Sequence, residues 1–191
     1  YATMPIFTIV IAYICKIESF SLAKLLSVII AFLGVYYCLS EFIDPTAPHP
    51  IKGDVLMTIG VISASVFTVF SGKFLVKYGN VNVLIFTLFS GSISTFFVSF
   101  LFGSQISNIF FLSNINYFFL FMLIIPGGVL MMFLWGKALQ MISPTQASIT
   151  LGFNPITATI FGHFILNEVI SSRIFVAILL IIVAIFISNW K

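Results

Sequence analysis

A run of polar side chains recurs along one apolar segment near the carboxyl end of the chain. Gln146, Thr150, Asn154 and Thr157 stand at helical spacing, and at about 100° per residue they share an arc of about 80°. These amides and hydroxyls could bind a solute crossing a membrane, or they could hydrogen-bond between packed helices. Pro155 removes a backbone N–H, and the groups freed by such a break need partners in protein or in a water-filled cavity. We expect the four residues to bind substrate and Pro155 to act as a helix break or gate.

A second helix break is expected in the preceding apolar segment, where Pro126, Gly127 and Gly128 are consecutive. Proline interrupts the helical hydrogen-bond ladder, and glycine allows another backbone or a ligand to approach closely. Two interrupted spans in succession suit a gate or a binding site near the middle of a membrane. We assign these three residues to such a gate.

Two carboxylates, Glu18 and Glu168, lie at the ends of apolar segments. Each precedes a serine three residues later, at the start of the next predicted helix, which is typical of capping near an interface. We interpret both as structural residues of helix ends, with proton coupling as the alternative. No carboxylate lies in the middle of a span, where relay groups usually stand.

Several motifs of enzymes are absent from the sequence. It has no His-Glu-x-x-His, no phosphate-binding P-loop, no Gly-x-Ser-x-Gly and no His/Cys cluster with metal-ligand spacing. We therefore predict no catalytic residue, no metal and no cofactor, and we expect the protein not to be an enzyme.

The composition excludes a water-soluble fold. Of 191 residues, 61% are hydrophobic and 7% are charged, with a mean hydropathy of +1.23, whereas soluble domains are about a quarter charged. A membrane-spanning helix needs about 20 apolar residues and satisfies its own backbone hydrogen bonds. We predict an all-α polytopic membrane protein with seven visible transmembrane helices, at 1–15, 22–42, 54–72, 81–102, 117–138, 145–166 and 174–190.

Basic residues divide unevenly between the two sides of this membrane. If each segment crosses once, Lys52 and Arg173 lie on one side. The other side holds Lys16, Lys24, Lys73, Lys77, Lys137 and Lys191. Because basic residues collect in cytoplasmic loops, we expect a cytoplasmic C-terminus. The lysines are too scattered to form the basic face of a nucleic-acid binder, so no nucleic-acid partner is expected.

The sequence also repeats itself with an offset of 150 positions. The repeat is carried by Pro5, Glu18 and Ser21, which recur as Pro155, Glu168 and Ser171. Five crossings separate the copies, so they face opposite ways, as in many secondary transporters. We divide the chain into the last two helices of a first repeat (1–42), a proline-rich linker (43–52) and a complete five-helix repeat (53–191). The first copy would lack the counterpart of 98 positions, and we expect a longer chain of ten helices in two inverted five-helix repeats.

The residues along this second repeat resemble the EamA-like transporter family of the drug/metabolite transporter superfamily. The resemblance is carried by Gly-Asp-Val-Leu at 53–56, Ser-Ala-Ser at 63–65, Lys-Phe-Leu-Val-Lys at 73–77, Leu-Trp-Gly-Lys-Ala-Leu at 134–139, Gln-Ala-Ser at 146–148, Asn-Pro at 154–155 and Leu-Asn-Glu at 166–168. The order and spacing of these stretches are more specific than any one of them. The resemblance implies ten helices in two inverted halves around a central cavity. The two halves of this chain are not equivalent, because Met4 stands where the second copy has Asn154.

The resulting hypothesis is a permease of small metabolites, such as amino acids or drug-like compounds, which works by alternating access at a midplane site. Its expected partners are a small-molecule substrate and the lipid bilayer, and we leave a homodimer open. The expected location is a bacterial inner membrane. The alternatives are a non-transporting membrane subunit of a larger complex and, less favoured, an intramembrane enzyme acting on lipid.

Overall fold

The computed structural model describes residues 3–40, 50–101, 113–167 and 172–189. Throughout these ranges the regular elements are helices, which confirms the all-α prediction for the described residues. In chain order they are α1 (Met4–Ile14), α2 (Leu22–Leu39), α3 (Pro50–Tyr78), α4 (Asn80–Leu101), α5 (Asn114–Ile124), a π-helical turn (Ile125–Leu130), α6 (Met131–Met141), α7 (Pro144–Thr150), α8 (Phe153–Leu166) and α9 (Ser172–Asn189).

Four helices of the described residues are long and apolar enough to cross a membrane: Gly53–Tyr78, Asn80–Leu101, Asn114–Met141 and Ser172–Asn189. Met4–Ile14 and Leu22–Cys38 are apolar but shorter. The expected seven spans are therefore not all seen as continuous helices of spanning length. The largest departure is in the sixth segment, which is divided between α7 and α8.

The division of the sixth segment corrects the expectation of one helix over 145–166. Leu151 and Gly152 form a tight turn in which backbone N–H groups bond three residues back: Leu151 to Ser148, Gly152 to Ile149 and Asn154 to Leu151. Pro155 lies in the first turn of α8 and has no N–H to offer the Leu151 carbonyl. That carbonyl is bound instead by the Asn154 N–H, at 3.0 Å, and the helix breaks one turn before the proline.

The fifth segment keeps its helical path through the Pro-Gly-Gly sequence. Between α5 and α6 the backbone widens into the π-helical turn Ile125–Leu130, so Asn114–Met141 is one helix of 28 residues. A proline ring would clash with the carbonyl four residues before it, and a local widening of the helix removes that clash. A Cβ on Gly127 would lie 3.5 Å from the Met122 carbonyl oxygen, an ordinary contact.

The chain divides into two compact units. The first comprises Tyr1–Phe70 and Ile142–Lys191, and the second comprises Ser71–Met141. The centre of the first unit is the packing of α2 against α9. Val35 and Cys38, late in α2, share a core with Ile174 and Ala177, early in α9. The two helices therefore run antiparallel.

The buried positions of α2 and α9 correspond to each other at the same offset of 150 residues. Both helices have 18 residues, and the bounds of α9 are those of α2 moved by 150 positions. Four buried positions of α2 have buried counterparts in α9. The pairs are Ser27 and Ala177, Ala31 and Ile181, Gly34 and Ala184, and Cys38 and Ser188.

The second unit is held by contacts at the ends of its helices. α3 ends at Tyr78 and α4 begins at Asn80; the residue between them, Gly79, has a φ of +82°, a conformation that favours glycine. The Asn80 Nδ2 donates a hydrogen bond of 2.8 Å to the Phe133 carbonyl. The Gln140 Nε2 donates one of 2.8 Å to the Leu75 carbonyl. These amides join α4 and α3 to α6.

Candidate functional site

The first unit contains a pocket between α7 and α9. Its volume is about 180 Å³. Its described lining residues are isoleucines together with residues that carry amides and hydroxyls, and none of these carries a charge. They are Ile142, Gln146, Ile149, Thr150, Ile185, Ser188 and Asn189. Two of the four predicted substrate-binding residues, Gln146 and Thr150, thus lie on this pocket.

Gln146 is already engaged by the protein. Its backbone N–H and side chain form a reciprocal capping box with Ser143 at the start of α7, an arrangement that satisfies two otherwise unpaired N–H groups. Its Nε2 donates to the Asn189 Oδ1 at 2.7 Å and to the Ser188 carbonyl at 3.4 Å. Gln146 therefore fixes α7 to the end of α9.

Ser188 presents the opposite situation, a polar group with no partner. The residue is only 6% exposed, and its Oγ makes no hydrogen bond to any described residue. Ser188 and Asn189 were not among the predicted site residues. The signal in the sequence was two consecutive polar residues at the end of a long apolar run in α9.

Thr150 keeps acceptor capacity toward the pocket. Its Oγ1 donates to the Ala147 carbonyl at 2.7 Å, and a hydroxyl oxygen retains two lone pairs as acceptors. The other two predicted residues, Asn154 and Thr157, belong to α8 and are exposed. Thr157 donates to the Phe153 carbonyl at 2.8 Å. The expected single arc is divided because the helix breaks between Thr150 and Phe153.

Glu18 lies where three parts of the first unit meet. Its Oε1 accepts a hydrogen bond of 2.9 Å from the Thr145 backbone N–H, in the first turn of α7. Its Oε2 accepts one of 2.5 Å from the Lys24 Nζ on α2. The side chain is 8% exposed and that of Lys24 is 21% exposed. A carboxylate is favourable at a helix N-terminus, and here the helix is α7 rather than the α2 that follows Glu18 in sequence.

The remaining predicted residues are not among the lining residues of the pocket. Pro155 is half-buried in the first turn of α8. Pro126 and Gly127 are exposed on the π-helical turn, and Gly128 is partly exposed. Glu168 lies outside the described residues.

Among the described residues that line the pocket, none is titratable, and they form no nucleophile–base pair. Over the described parts of the chain, no group of three or more His, Cys, Asp or Glu side chains is placed to hold a metal ion. The accessible surface of the pocket is mostly apolar.

Comparison with known proteins identifies the family. The model of the EamA-like transporter family matches residues 51–190, which is most of the chain, and this confirms the resemblance. No curated protein matches, and no solved structure matches. Together with the apolar helices of spanning length, the match makes this an integral membrane protein of the drug/metabolite transporter kind: the chain belongs to the EamA-like transporter family.

Proposed function

We propose that the protein is a secondary transporter of small metabolites, such as amino acids or drug-like compounds, that works by alternating access between two inverted repeats. The observation that carries the proposal is the antiparallel packing of α2 against α9. These helices have equal length, stand 150 positions apart and bury corresponding positions. Antiparallel helices related in this way are expected where two inverted repeats pack against each other. The proposed arrangement has ten helices in all.

The solute pathway in this proposal follows the broken sixth segment. Gln146 and Thr150 stand on one side of the break, at the pocket, and Asn154 and Thr157 stand beyond it on α8. Interrupted helices tolerate polar groups at depth where they line a cavity. The break at Leu151 and Gly152, one turn before Pro155, is the place where the path would open and close. The protein would reside in a bacterial inner membrane.

Flux measurement tests this function. The protein expressed from its complete reading frame, reconstituted in liposomes, should show saturable counterflow of at least one labelled amino acid or drug-like solute. Asn154→Leu should lower that flux at least tenfold, because the variant replaces an amide on the path with an apolar side chain. The matched control is Asn82→Leu, which changes an equally exposed asparagine on α4 and should leave the flux unchanged.

Two outcomes would contradict the proposal. Equal flux in both variants would remove Asn154 from the pathway. Absence of flux for every solute in the panel, with the protein folded and bound to a stable partner, would instead favour the non-transporting subunit.

A further inference from the structure

The second compact unit carries the net positive charge of the whole chain. Residues 71–141 contain three lysines and no Asp, Glu, Arg or His, and the remaining sequence has five basic and five acidic residues that balance each other at pH 7. The net charge of +3 therefore belongs to this unit. Its lysines, Lys73, Lys77 and Lys137, are all exposed.

The packing of α3 against α6 brings these lysines to one level of the unit. Leu75 lies between the two lysines of α3 in sequence, and its carbonyl accepts a hydrogen bond of 2.8 Å from the Gln140 Nε2 on α6. The Leu75 side chain packs against Gly136, the residue before Lys137. The backbone of Lys137 is therefore level with the last turns of α3.

This level lies at the ends of the apolar helices of spanning length. Lys77 is the last residue but one of α3, and Lys137 lies in the last turn and a half of the helix Asn114–Met141. The Lys77 Nζ is 5.0 Å from the centroid of the Tyr78 ring, and the Lys137 Nζ is 5.9 Å from that of Phe133. Aromatic rings and lysines at a helix end are typical of the boundary between hydrocarbon and headgroups. We expect the three ammonium groups at the depth of the lipid phosphates.

Lys73 and Lys77 together attract an anion more strongly than either does alone. They stand four residues apart, so their side chains are neighbours on one face of α3. Two like charges at this spacing repel each other, and an anion between them relieves the repulsion. Within the part of the chain that the structure describes, neither ammonium group has a carboxylate partner, and each has three hydrogens to donate.

The side chains around the two lysines favour a lipid over a soluble anion. Phe74 and Val76, on the same turns of α3, are 53% and 73% exposed, and they offer apolar contact to an acyl chain. We propose that Lys73 and Lys77 bind the phosphate headgroup of an anionic phospholipid, with Lys137 at the same level adding to the attraction. Basic residues at the end of a membrane-spanning helix attract anionic lipids in this way.

Competition between two lipids tests this site without any transported solute, so the result is independent of the transport proposal. The purified protein in dodecyl maltoside is given equal amounts of phosphatidylglycerol and phosphatidylcholine with the same acyl chains, and the retained lipids are counted by native mass spectrometry. Phosphatidylglycerol should be retained at least tenfold over phosphatidylcholine, and a higher ammonium acetate concentration should reduce this preference by screening. Equal retention of the two lipids would overturn the proposal.

Variants of the lysines locate the site. Lys77→Gln should reduce the preference about fivefold, the effect of one lysine near a lipid surface, and Lys73→Gln with Lys77→Gln should abolish it. Lys73→Arg with Lys77→Arg keeps both charges and should retain the preference. Because both lysines are exposed and Gln and Arg are good helix formers, these variants should fold.

The matched control is Lys16→Gln, which removes one charge from an exposed lysine of the first unit and should leave the preference unchanged. A loss in the Lys16 variant equal to that of Lys77→Gln would show attraction by net charge alone and would overturn the site. An unchanged preference in the double glutamine variant would overturn it as well.

Discussion

Gly136 on α6 packs against the side chain of Asn80, the first residue of α4. A Cβ at this position would overlap the Asn80 Oδ1 and would lie 3.2 Å from the Leu75 side chain. Asn80 would have to move, and its hydrogen bond to the Phe133 carbonyl would break. We predict that Gly136→Ala lowers the free energy of unfolding by about 1–3 kcal/mol, measured by thermal unfolding in detergent.

Gly91 provides the control for that substitution. It lies in α4, and a Cβ there would meet nothing within 4 Å. Alanine in an open helical position is better than glycine by about 0.5–1 kcal/mol, so Gly91→Ala should raise the melting temperature slightly. Equal melting of the two variants would show that the contact between Gly136 and Asn80 does not constrain the fold.

Loss of the Glu18 side chain should destabilise α7, because Glu18 accepts a hydrogen bond from Thr145, 127 residues later in the sequence. Glu18→Gln keeps an acceptor for the Thr145 N–H and loses the ion pair with Lys24, whereas Glu18→Ala loses both. We predict that the alanine variant is destabilised by about 1–3 kcal/mol and the glutamine variant by less. Thermal unfolding should rank the two in this order, and Asp54→Ala, which removes an exposed carboxylate, should match the unchanged protein.

The junction between α7 and α8 shows how much of the candidate site could be predicted from the sequence. The sequence predicted an interruption at Pro155 within the polar run from Gln146 to Thr157, and the helix breaks at Leu151 and Gly152, one turn before that proline. It did not predict the position of the break, because the angular argument assumes one continuous helix. It also did not indicate that the Gln146 amide serves a capping box and the contact with Asn189, since such contacts depend on which helices are neighbours.

Pro155 is the residue that the junction between α7 and α8 depends on. Replacing it with alanine restores an N–H that can bond the Leu151 carbonyl, so α7 and α8 should approach one continuous helix. If the break belongs to the solute path, Pro155→Ala should raise the melting temperature and reduce flux at least tenfold. Pro144→Ala is the control, because Pro144 begins α7, where proline interrupts no helical bond. A loss of flux in both variants, or in neither, would contradict the role of this break.

Along the whole chain, the sequence located α4 best, since the prediction was 81–102 and the helix spans Asn80–Leu101. For α2 and α9 the predictions were 22–42 and 174–190, and the helices span Leu22–Leu39 and Ser172–Asn189. Their mutual packing could be anticipated only from the offset of 150, since neither helix contains a residue that specifies its partner. The cores they share consist of Val, Ile, Ala and Cys side chains, and these apolar contacts are not specific to any one partner.

The orientation of the chain in the membrane can be tested on a single helix. α3 places Asp54 and Lys77 near its opposite ends, about 35 Å apart at 1.5 Å per residue, which exceeds the apolar thickness of about 30 Å. In a background of Cys15→Ser and Cys38→Ala, we predict that Asp54→Cys reacts with a membrane-impermeant maleimide in intact cells. Lys77→Cys should react only in inverted vesicles.

The same labelling also locates the C-terminus. If α4, the α5–α6 helix, the broken α7–α8 segment and α9 each cross once, four crossings follow Lys77, and because four is an even number we expect the C-terminus on the side of Lys77. The three lysines of the second unit, Lys73, Lys77 and Lys137, are exposed, and that stretch has no Asp or Glu, which favours the cytoplasmic side for this end. Labelling of Lys77→Cys in intact cells would reverse the orientation, and labelling of both positions from one side would show that α3 does not span.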